Sequence, residues 1–374
     1  MKYRLPVLFV FCFVILVSSC HFVRSVIFLR PNHTDDRKFP KKELVASDEI
    51  YEWTYHDEQL DLTSIKITLK DSTVTNLEDL FSISAINAFM IVQEGKVLSE
   101  NYFAKYDAER THGSFSVSKA MLATVLGIAL DRGFVTSLDE PITTYIPELL
   151  ENDTAFGNIT IHHLFDMNSG IEVRKNDASL LGDLARTYYG SNWARFMATI
   201  EIEKEPGGVH KYNQTDAELL TLLLTRALGV SVSDFFAANV WQKIGASTAY
   251  WNVYDRDKLE KGFCCFNARV QDYAKFGQLY LQNGEWNGEQ IVPKDWVEFT
   301  TQAQHELREN WIFDFNHYWF PAADGKNDYT AQGYNRQFIY VNPDKNLLIL
   351  RFGRKENEKN IGWEKVLREI AQQL

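Results

Sequence analysis

The sequence predicts an α+β fold: an antiparallel β-sheet flanked by helices, with a mostly helical subdomain inserted between its strands. Three observations predict it. Strand-like hairpins stand near 88–103 and 337–352, towards the two ends of the chain. A helix with no polar face follows the first hairpin, and helical signals dominate from Ser137 to about Phe263. One sheet assembled from both chain ends, with helices between, accommodates all three. The expected division is an α/β part over about 47–137 and 265–374, with a helical part over about 138–264.

The N-terminal segment comes first. Lys2 and Arg4 precede a continuously apolar run from Leu5 to Val17, which has the length of a signal-peptide core and is short for a membrane span. It ends in Val17-Ser18-Ser19-Cys20, which resembles a bacterial lipobox. The expectation is a signal peptide over 1–19, lipidation at Cys20, and a polar, Pro-interrupted tether over 20–46. That places the domain outside the cytoplasm, in the cell envelope, held to a membrane by lipid or anchor. The folded domain is expected from about Ser47 to the C-terminus.

Ala88-Phe89-Met90-Ile91-Val92 is a short apolar run that Gly95 turns into Lys96–Phe103, so the pair reads as a hairpin. From Val117 to Leu130 the chain is almost wholly apolar or small apart from Ser118, Lys119 and Thr124, with Gly133 just beyond. A helix apolar all round lies in a core. Ala217–Leu228 closed by Gly229, and Gln271–Leu281, read as two further helices. Gln337–Val341, the turn Asn342-Pro343-Asp344 and Leu347–Phe352 form the second hairpin, and Trp363–Leu374 has the 3.6-residue period of an amphipathic helix.

Composition narrows the function classes. The 374 residues are 45% hydrophobic and 24% charged, ordinary for a globular protein and contrary to disorder. A formal net charge of −11 without a basic run argues against a nucleic-acid partner. Of four cysteines, Cys12 lies in the apolar leader and Cys264 and Cys265 are adjacent. Neighbouring side chains point apart, so these two are expected to be buried and unbonded. No metal-ligand spacing is present, and no metal or organic cofactor is expected. The sequence leaves oligomeric state open.

Ser116-Val117-Ser118-Lys119 opens the buried helix. A spacing of three puts Ser116 and Lys119 on one face. Free N–H groups at the helix tip favour a developing oxyanion beside Ser116. Apolar surroundings lower the pKa of Lys119, and a neutral amine can take a hydroxyl proton.

This tetrapeptide resembles the first motif of the serine β-lactamase and penicillin-binding protein superfamily. The chain is most similar to its class C-like branch, which includes D,D-peptidases, esterases and 6-aminohexanoate-oligomer hydrolases. Ile159–Leu164 running into Met167-Asn168-Ser169-Gly170 resembles that branch, as do Ala274–Tyr280, Gly284–Gly288 and Ile291-Val292-Pro293. The likeness extends over about 85–353. It implies the β-lactamase/transpeptidase-like fold and a serine hydrolase. It also makes Tyr212, in Tyr212-Asn213-Gln214, the proton shuttle of the second motif, with Gln214 in the place of a substrate-binding amide. The third motif corresponds to Ala331-Gln332-Gly333-Tyr334-Asn335, which implies an oxyanion hole from the N–H groups of Ser116 and Tyr334. Gln332, Gly333 and Asn335 would contact substrate. The usual basic residue is replaced by Ala331, which disfavours β-lactams and D-Ala-D-Ala peptides. A small-molecule or peptide-like ester or amide is therefore the expected substrate. The alternatives are a D,D-carboxypeptidase or β-lactamase, and a catalytically silent ligand-binding module of the same fold. Glu148, His162, His163 and His210 are expected to be structural.

Overall fold

In the computed structural model the described residues are 21–28, 30–174, 182–303, 312–355, 358 and 360–374. The central element is a six-stranded antiparallel sheet. Its strands are β1 (Ile86–Gln93), β2 (Lys96–Tyr102), β3 (Phe320–Pro321), β4 (Tyr329–Gly333), β5 (Gln337–Asn342) and β6 (Leu347–Gly353), in the order β3-β4-β5-β6-β1-β2. Both expected hairpins are present, and β6 pairs with β1, for example Ile349 with Ile91. The two chain ends thus close one sheet. Gly95 turns the first hairpin at φ +76°, and Asn346 turns the second at φ +47°.

Strands β1 and β6 are buried on both faces, which explains their unbroken apolar runs. One face packs on α3 (Val270–Leu281), in the larger core to which α1 (Ser118–Asp131) also belongs. The other packs on α5 (Trp363–Gln373), whose Trp363, Val366, Leu367 and Ile370 are buried. Between the sheet's halves lie α2 (Gln214–Leu228), ended by Gly229 at φ +68°, α3 (Val270–Leu281) and α4 (Lys294–Thr301). Trp296 of α4 fixes how α4 meets α1. Its Nε1 donates to Ala123 O at 3.0 Å, and a Cβ on Gly127 would sit 2.3 Å from its ring.

The chain is an α+β protein, as expected, but two expectations need correction. Residues 20–46 do not behave as a free tether over their described part. A helix at His21–Phe28 packs on the helix Asp183–Tyr189, and Lys41–Leu44 pairs antiparallel with Ala249–Asn252. Phe39 and Leu44 are buried, and Tyr188 donates to Asp35 at 2.7 Å. The polar sequence concealed this because an edge strand is held by backbone hydrogen bonds, which composition does not reveal. Second, Cys264 and Cys265 form a disulfide. Cys265 lies in the left-handed region at φ +74°, which turns its side chain back towards Cys264. Cys20 and the apolar leader lie outside the described residues. No single described helix is long and apolar enough to cross a membrane.

Candidate active site

Ser116 sits in a 3-10 turn, Phe115–Val117, that runs directly into α1. Phe115 holds φ +48°, an unfavourable conformation for an aromatic residue beside a reactive hydroxyl. The turn is locked from the opposite side by the end of β4. A Cβ on Gly333 would lie 2.2 Å from Ser114 O, so only glycine allows the strand to approach this closely. The ring of Tyr334 then meets Phe115 edge-on at 5.6 Å. The sheet edge and the helix tip therefore meet at Ser116.

Lys119 lies one helical turn deeper and is 2% exposed. Its Nζ is 3.1 Å from Ser116 Oγ and donates to Phe263 O at 2.6 Å. Burial pushes its pKa down to about 7, against an opposing pull from the Glu218 carboxylate. At neutral pH a substantial share of this amine is uncharged and able to accept a proton. Tyr212 reaches in from the turn before α2. Its hydroxyl is 2.8 Å from Ser116 Oγ, and Lys119 Nζ stands 4.9 Å from its ring centre. Amine and phenol thus converge on the same oxygen, Ser116 Oγ. The phenol is on the open side, with Tyr212 43% exposed.

The remaining residues singled out by sequence are divided. Gln332 is half-buried and donates to Thr330 Oγ1 at 2.8 Å, beside Gly333 on the cleft edge. Gln214 is buried at the start of α2, and its Nε2 has no hydrogen-bond partner among the described residues. Asn335 differs from expectation. It is buried in the turn after β4 at φ +62°, with its carbonyl held by Arg351 at 3.0 Å. Its backbone carbonyl is thus part of the turn's support.

Glu148 forms a two-pronged ion pair with Arg226, at 2.6 and 2.9 Å, which holds its carboxyl below the usual range. His163 closes a capping box with Thr160, and His210 Nδ1 is 2.8 Å from Asp166 O. A cavity of about 300 Å³ behind the Tyr212 loop is lined by Met167, Asn168, His210 and Asp216, among others, but not by Ser116 or Lys119.

Sequence reasoning missed the floor of the site. Phe263 supplies the carbonyl that anchors Lys119, immediately before the disulfide. Beneath it, Glu218 and Lys261 are fully buried. Burial raises Glu218 to about 8, partly offset by Lys261, and lowers Lys261 to about 7, opposed by Glu218. Glu218 was detectable: a carboxylate in Ala217-Glu218-Leu219-Leu220 is the same anomaly that marked Lys119. The Phe263 carbonyl gave no signal, since any residue offers one.

The comparisons bear on the family and the fold. The beta-lactamase family matches residues 87–367. A 6-aminohexanoate-dimer hydrolase from Paenarthrobacter ureafaciens is 24% identical over 317 residues, 75% of this chain and 76% of that protein. Among solved structures, a Bacillus anthracis protein provisionally described as a 6-aminohexanoate-dimer hydrolase superposes with a TM-score of 0.79 at 23% identity, covering 91% of each chain. A class C beta-lactamase from Rhodobacter sphaeroides gives 0.60 at 14% identity, covering 79% of this chain and 97% of that one. The chain belongs to the beta-lactamase family and is a serine hydrolase of that type.

Proposed function

We propose that the protein cleaves an ester or a linear amide through an acyl-enzyme on Ser116. The observation that carries this reading is the convergence on one oxygen: Ser116 Oγ lies 3.1 Å from the buried Lys119 amine and 2.8 Å from the Tyr212 hydroxyl. The neutral Lys119 amine takes the Ser116 proton as Oγ attacks the carbonyl carbon. The N–H groups of Ser116 and Tyr334 hold the oxyanion. Tyr212 hands a proton to the departing oxygen or nitrogen, and the bond to the leaving group breaks. Water then attacks the acyl-enzyme by the reverse route, returning the proton to Ser116. The buried, unpartnered amide of Gln214 is suited to accepting a substrate carbonyl as its hydrogen-bond partner.

Ala331 provides no cation where many relatives hold a carboxylate, which supports linear esters and amides over β-lactams and D-Ala-D-Ala peptides. The resemblance to 6-aminohexanoate-dimer hydrolases points the same way. Intact-mass detection of a covalent adduct across esters, linear amides and β-lactams tests the reading. Adducts with esters or amides that vanish in Ser116→Ala are expected. Labelling that persists in Ser116→Ala, or adducts with β-lactams alone, would overturn it. We also propose that Cys20 is lipidated and holds the chain at the cell envelope. A mature protein that begins at Cys20 with a lipid mass increment is the expected result.

A further inference from the structure

We propose that His162, Asp166 and His317 form a zinc site in the wall that supports Tyr212. His162 and Asp166 share one face at the helix Ile161–Phe165, and His162 Nε2 is 3.2 Å from Asp166 Oδ2. His317 arrives from a distant part of the chain. A turn with His317 at φ +48° and Tyr318 at φ +69° brings its Nε2 to 2.8 Å from Asp166 Oδ1. The ligand atoms of all three lie within 4.8 Å of one another.

A second observation separates this from a chain of hydrogen bonds. The His317 side chain is 3% exposed, and its Nε2 makes no hydrogen bond despite the nearby carboxylate. Its close polar neighbour is the Asp166 carboxylate, an ion-pair contact and not a hydrogen bond. The three ligand atoms thus stand around one small space. A cation there would bind the buried nitrogen together with the carboxylate that faces it. The ring is held there by Phe165 and Phe299, stacked at 4.9 and 4.2 Å.

The donor set selects the ion. Two imidazoles and one carboxylate suit zinc, whereas magnesium and calcium favour oxygen throughout. Bonds of about 2.0–2.1 Å to a tetrahedral ion put ligand atoms about 3.3 Å apart. His162 faces Oδ2 of Asp166 at 3.2 Å and His317 faces Oδ1 at 2.8 Å, so the carboxylate must turn to offer the ion one oxygen. The ligand atoms, now within 4.8 Å of one another, need only a small adjustment to reach that spacing. His162 and Asp166 are partly exposed, at 41% and 30% of their side chains, so the fourth position faces solvent.

The site has a structural consequence for catalysis. His210 Nδ1 is 2.8 Å from the Asp166 carbonyl and stacks on Phe315 at 4.4 Å. Tyr212 meets the same Phe315 edge-on at 6.1 Å. Zinc would tie the 161–166 helix to the 317 turn and brace this wall. No step of the acyl transfer passes through it.

The test uses untagged full-length protein, stripped with chelator, loaded with zinc chloride and dialysed. Elemental analysis is expected to find about one zinc per chain, retained equally by Ser116→Ala, with a rise of several degrees in Tm. Magnesium is expected to give neither. His162→Ala and Asp166→Asn, at partly exposed positions, are expected to lose both the retained metal and the thermal shift. Sub-stoichiometric zinc, or equal retention in His162→Ala, overturns the site. Because metal content and Tm are read without turnover, such a failure leaves the serine chemistry untouched.

Discussion

At the residue scale, Lys119 combines function with instability. It was legible as an isolated amine in an apolar helix, and its position beside Ser116 follows from helical spacing alone. The protein holds it near neutrality by burial, not by a nearby cation. Because the folded pKa of about 7 lies below the ordinary value of 10.5, stability is full above the unfolded value and falls as pH drops through this window. Lys119→Met is therefore expected to stabilise the fold at pH 7 by about 1–3 kcal/mol, read by denaturant unfolding, within the bound of about 1.4 kcal/mol per pH unit. The same change should lower kcat by about 10²–10⁴-fold. In the wild type, kcat/KM should rise with pH along a limb centred near 7, because the uncharged amine is the active form. A flat profile between pH 6 and 8 would count against Lys119 as the base.

At the element scale, the site depends on two close approaches. Gly333 lets β4 touch the Ser114 carbonyl, and Phe263 holds the Lys119 amine from the loop before the disulfide. Gly333→Ala is expected to push the strand off the nucleophile turn, with kcat/KM falling more than 10²-fold and a loss of about 1–3 kcal/mol in stability. Assays paired with thermal unfolding check this. Reduction of Cys264–Cys265 frees the backbone next to Phe263, so lowered activity that returns on reoxidation is expected; unchanged turnover of fully reduced protein would show that the disulfide does not position Lys119. The sequence showed the Gly333 motif only through resemblance. It did not show the disulfide, since neighbouring side chains ordinarily point apart and no side-chain pattern announces the left-handed conformation of Cys265.

At the scale of the whole molecule, the N-terminal stretch belongs to the fold. Deleting residues 1–44 removes an edge strand and the buried Phe39 and Leu44. At about 1.5–3 kcal/mol for each buried side chain, the loss should be several kcal/mol, visible as a lower denaturant midpoint. An unchanged midpoint would restore the tether. Burial of both faces of β1 and β6 explains why the two hairpins were readable: long apolar runs survive without alternation. The second, four-stranded sheet of Lys41–Leu44, Ala249–Asn252, Phe266–Ala268 and His112–Gly113 escaped notice because two to four residues carry no period.

By itself the sequence determined the helices, the hairpins and the pairing of Ser116 with Lys119. Each of these is local: hydrophobic periodicity, turn residues and the rise of one helix set them. Only the tertiary structure decided that the hydroxyl of Tyr212, 96 residues away and named only through resemblance, closes on the same oxygen. The same holds for the Phe263 carbonyl that anchors the amine, the disulfide beyond it and the meeting of His317 with Asp166. Contacts between distant segments are set by how the core packs, and that depends on the volume and shape of many side chains together.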